Sequence, residues 1–71
     1  MTQRFAPITC KIIAIRQDSI IIDIENVEYR IGIALLHEWD RLAIILGNAE
    51  LGKITLIRII DWKVDQIKRL A

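Results

Sequence analysis

Cysteine, histidine and proline occur once each in the 71 residues, as Cys10, His37 and Pro7, and there are only three glycines. A lone cysteine cannot close an internal disulfide, and the chain has neither a CxxC pair nor a zinc-ligand spacing. The expected compartment is therefore a reducing one, the cytoplasm. Apolar runs are short: the longest, Leu42 to Leu46, is five residues, far below a membrane span. The first seven residues lack the apolar stretch of a signal peptide and are expected to form a tail ending at Pro7, with a single domain over 8–71. Charge of one sign is also lacking. Ten basic and nine acidic residues give a formal +1, which excludes a strongly basic arm or an acidic tail but leaves room for a local patch.

What the chain has in abundance is isoleucine, 17 copies against seven leucines and two valines, within an apolar content of 54%. A domain of this length buries only about 60% of its unfolded surface and is marginal alone. So much branched hydrocarbon exceeds what a small core can enclose, and the surplus predicts a partner surface, most simply a second copy of the chain in a dimer, or else a larger protein.

The spacing of these residues predicts strands. Ile8, Cys10, Ile12 and Ala14 form one face of a first strand, and Ile20, Ile22 and Ile24 one face of a second. Val27, Tyr29, Ile31 and Ile33 alternate with Glu28, Arg30 and Gly32 in a third. Glu25-Asn26 suits a two-residue hairpin loop, which would set Ile24 opposite Val27, Ile22 opposite Tyr29 and Ile20 opposite Ile31. From Leu35 the period changes to three and four. Leu35, Leu36, Trp39, Leu42, Ala43 and Leu46 predict a helix whose apolar stripe, Trp39 included, packs on the core, with Gly47-Asn48 as its stop. Residues 53–60 return to strand character. Asp61 can cap a terminal helix over 62–70, although an even-numbered apolar line, broken at Arg58, also allows the strand to continue.

The expected fold is α+β, a small antiparallel meander in the order β-β-β-α-β with a C-terminal helix and the helices on one face of the sheet. A small closed barrel of the SH3-like or Sm-like kind is the alternative. In the open-sheet reading the outer face carries Ile13, Ile15, Ile21, Ile57 and Ile59, and these are the expected protein interface.

Catalytic and metal chemistry find little support. His37 has no second histidine to complete a metal set, and adjacent Glu38 points elsewhere on a helix. Cys10 lies mid-strand on the apolar side, where a thiol behaves as a small hydrophobe. Asp23, Glu25 and Glu28 gather three acids, but Arg30 competes for them and no ligand-rich loop surrounds them. Gly52-Lys53 lacks the rest of a phosphate-binding loop. The chain is expected to be non-enzymatic, without cofactor or metal. A regulatory or protein-interaction module acting through self-association or a larger partner is the leading expectation. The alternative is a small RNA- or DNA-binding protein using Lys11, Arg16, Lys53, Arg58, Lys63, Lys68 and Arg69, should the strand at 53–60 lie beside the first.

Overall fold

The computed structural model describes residues 6–60 and 66–70. Five strands and one helix follow one another as β1 (Ala6–Ile15), β2 (Ser19–Ile24), β3 (Val27–Gly32), a single 3-10 turn (Ile33–Leu35), α1 (Glu38–Ile45), β4 (Ile54–Ile59) and β5 (Ile67–Arg69). The pairings between these strands are antiparallel, in the spatial order β4-β1-β2-β3-β5. The result is a strand-dominated α+β fold. β1 starts at Ala6, within the segment expected to be a tail, because Ala6 and Pro7 pair with Ile59 and Arg58 of β4.

The β2–β3 hairpin has the register its alternation implies: Ile24 faces Val27, Ile22 faces Tyr29 and Ile20 faces Ile31. Glu25 and Asn26 take φ of +50° and +68°, a left-handed pair whose twist matches that of the flanking strands. The Asp23 carboxylate accepts a hydrogen bond from the Asn26 amide at 3.0 Å, which ties the turn down.

The core consists of Cys10 and Ile12 from β1, Ile20 and Ile22 from β2, Ile31 from β3, Leu36 and Ile44 beside and within α1, and Ile57 and Ile59 from β4. Two expectations change here. The odd residues of β4 face the core, paired with Ile8 and Ala6, so Ile57 and Ile59 are not on the outer surface. Ile54, Leu56 and Arg58 hold that position instead. Arg58, which interrupts the even-numbered apolar line, marks the solvent side of the strand. In addition, a bulge at Ile13 shifts the β1–β2 register from Ile12↔Ile22 to Ala14↔Ile21 and Ile15↔Ile20. Ile15 therefore lies on the face opposite to Ile21.

The helix begins later than its period suggests and turns a different side inward. Leu36 bridges to Ile59, and the His37 amide donates to the Arg58 carbonyl at 2.9 Å. Residues 35–37 are thus held as a strap along the end of β4 and are not part of the α-helix. His37 becomes the N-cap, its Nδ1 accepting from the Trp39 amide at 3.1 Å. With that start Ile44 is buried, while Trp39 (71% exposed), Leu42, Ile45 and Leu46 face away from the core. The expected stop holds. Gly47 has φ +76°, its amide donates to the Ile44 carbonyl, and the Asn48 amide reaches back to that of Ala43, the paired bonds of a Schellman ending.

The expected terminal helix is replaced at its described end by β5, in which Ile67, Lys68 and Arg69 pair with Ile31, Arg30 and Tyr29. Its first part, including Trp62 and Lys63, lies outside the described residues.

Candidate nucleic-acid interface

The solvent face of β1, β2, β3 and β5 is arranged in rows across the sheet. One row runs Ala14, Ile21, Arg30, Lys68; the next runs Lys11, Asp23, Glu28. Arg30 and Lys68 stand directly opposite one another, both exposed. Two like charges at this spacing repel, which disfavours the pairing by a few tenths of a kcal/mol or more. Among the described residues the ion pairs are Lys53 with Glu50 at 2.9 Å and Arg58 with Asp40 at 3.3 Å, and neither Arg30 nor Lys68 takes part in one.

Above this row, toward the β1–β2 turn, Ser19 pairs with Gly32, and the Gly32 amide donates to the Gln66 carbonyl. A Cβ at Gly32 would come within 2.6 Å of the Gln66 Oε1, so the missing side chain lets the run into β5 cross the end of β3 closely. The turn itself is pinned by the Arg16 amide on the Ser19 carbonyl and by the Ile33 amide on that of Asp18. Arg16 is exposed at that end. Beside it an open hollow of about 450 Å³ is lined by Gln17, Asp18, Ile33, Arg41, Ile45 and Gln66, among others.

The expected basic residues divide between this face and other parts of the fold. Lys68 is on it, Arg16 is in the turn above it, and Lys11 lies a row below, opposite Asp23. Arg69 is paired with Tyr29, on the opposite face of β5 from Lys68. Lys53 and Arg58 lie on or beside β4, across β1 from the row, and both are in ion pairs. Arg58 also fastens α1 to the sheet, since its backbone amide donates to the Asp40 Oδ2 at 2.9 Å while its guanidinium meets the same carboxylate. The residue that sequence reasoning missed is Arg30. Its partner became visible only when 67–69 formed a strand, and a helical reading of that segment hides the pairing.

Of the expected apolar interface, Ile13 and Ile15 are about 40% exposed and Ile21 is half-buried beside Arg30, while Ile57 and Ile59 are in the core. Cys10 is buried as well. Its burial, followed by the carboxylates of Asp23 and Asp40, pushes the thiol up to about 11, so it stays protonated and unreactive at neutral pH. Among the described residues no group of three or more His, Cys, Asp or Glu side chains is placed to hold a metal ion. None of their helices is long and apolar enough to cross a membrane.

No protein-family model matches the chain, and no curated protein or solved structure does.

Proposed function

We propose that the chain binds the phosphate backbone of nucleic acid on the outer face of β2, β3 and β5, with Arg30 and Lys68 as the central contacts. The observation that carries this reading is the Arg30–Lys68 pair, two cations held side by side on an exposed sheet with no carboxylate bonded to either among the described residues. An approaching phosphate relieves their repulsion and gains two charge-assisted hydrogen-bonding groups. Arg16, exposed in the β1–β2 turn above the pair, extends the cationic path.

Tyr29 faces inward and Trp39 is on α1, so among the described residues the patch offers Ile21 rather than a ring for base contact. Binding then rests on phosphates, with weak sequence preference and strong dependence on salt. Fluorescence anisotropy with labelled single-stranded and duplex oligonucleotides at low salt tests this. Arg30→Glu and Lys68→Glu should each weaken binding at least about tenfold and lower the slope of log K against log salt by about one. Lys53→Glu, across the sheet, should have little effect. A flat titration, or unchanged binding by the Arg30→Glu/Lys68→Glu double variant, overturns the proposal.

A second reading, a protein-interaction module, is favoured by the uncovered row of Trp39, Leu42, Ile45 and Leu46 on α1. Loss of a co-purifying partner on Ile45→Lys, with nucleic-acid affinity unchanged, would establish it as a separate activity.

A further inference from the structure

The outer edge of β4 is sealed at one end and open at the other. The Arg58 amide and carbonyl point away from β1, the amide to Asp40 and the carbonyl to the His37 amide, and the Ile60 amide donates to the Leu35 carbonyl. Strand alternation then sends the amides and carbonyls of Leu56 and Ile54 to the same outer side. There they meet no backbone partner among the described residues. Their side chains are 49% and 74% exposed, on the solvent face of the strand. A hollow of about 330 Å³ adjoins this strand, lined by Ile54 and Leu56 and by Ile12, Ile44 and Ile57 of the core. Natural sheets usually blunt such an edge with a charge, a proline or a cover. Here the cover, residues 35–40, stops at Arg58.

We infer that this edge is a self-pairing surface, on which a second copy of the chain adds its own β4 antiparallel about Thr55. The register selects this occupant. Thr55 faces Cys10 of β1, and its own amide and carbonyl belong to the inner ladder. A two-fold axis at Thr55 therefore sets Ile54 of each copy opposite Leu56 of the other, in two pairs that exchange both their backbone hydrogen bonds. The same operation puts the exposed Ile54 against the exposed Leu56 on one face, an apolar cross-strand contact made twice. The site is thus self-complementary in backbone and side chain, independently of the cationic face on β3 and β5.

Light scattering across a concentration series should give a mass approaching 16.4 kDa, twice 8.2 kDa, for the unaltered chain. Leu56→Pro removes an amide that the β1 ladder does not use, and it should return the mass to 8.2 kDa with an unchanged circular dichroism spectrum. Ile54→Lys should do the same by charging the edge, and decides the matter should the proline variant fail to fold. Hydrogen exchange at the Ile54 and Leu56 amides should slow as protein concentration rises. A monomer at every concentration overturns the inference. So does a dimer that survives Ile54→Lys but dissociates on Ile45→Lys, which would assign the contact to α1.

Discussion

Asp40 shows how much one side chain can hold in a domain this small. Its carboxylate is the polar member of the inward side of α1, and it accepts both the Arg58 amide and the Arg58 guanidinium. Removing it leaves a part-buried amide without a partner, which costs more than the ion pair alone. Asp40→Ala should lower stability by about 1–3 kcal/mol in urea unfolding, and Asp40→Asn, which keeps an acceptor for the amide, by less. Cys10 gives a pH signature. Its thiol ionises near its ordinary 9.0 when unfolded and near 11 when folded, so between those values the unfolded state has released a proton that the native state retains. Stability should therefore fall as pH rises from about 9 to 11. Urea midpoints measured across that range should flatten in Cys10→Ala, and thiol reagents should label the native protein only slowly at neutral pH.

Among the elements, the β2–β3 hairpin was the most legible in sequence, down to its register, because alternation and a two-residue loop leave a single pairing. The left-handed φ of Glu25 is the unfavourable part of that loop. Glu25→Gly should relieve about 1 kcal/mol of backbone strain, and the expected result is a melting temperature higher by several degrees. The helix was legible as an element but not in its orientation. Leu35 and Leu36 continue its period, yet they belong to the strap on β4, and a period alone does not say which side of a helix a neighbour will cover. Strand β4 has the same ambiguity. Each of its faces carries two large apolar residues and one polar one, and only the charge of Arg58 against the neutral Thr55 distinguishes them.

For the whole molecule, the surplus of isoleucine was a guide to exposed apolar surface and only a partial one to its place. Ile13 and Ile15 of β1 are exposed, Ile45 on α1 and Ile54 on the β4 edge add to them, and Ile57 and Ile59 went inside. The cationic face was half-readable: Lys68 stood out as a charge, but its neighbour Arg30 was decided by long-range pairing that no local pattern encodes. This face also predicts a trade between binding and stability. Lys68→Glu sets opposite charges across the β3–β5 pair and should raise stability by about 0.2–1 kcal/mol in chemical unfolding, while weakening nucleic-acid affinity. A loss of both would mean that Lys68 supports the sheet in a way the pairing does not capture.

β1 comes first in the chain yet sits inside the sheet, between a strand that follows at once and one that arrives 45 positions later, as Cys10 meets Thr55. During synthesis the hairpin formed with β2 can assemble early, while the opposite flank of β1 waits for β4 to leave the ribosome. Until then the backbone groups of Ile8 and Cys10 that later pair with Ile57 and Thr55 are unmatched, and the nascent chain, like the uncovered edge of β4 in the finished fold, is open to aggregation or chaperone capture.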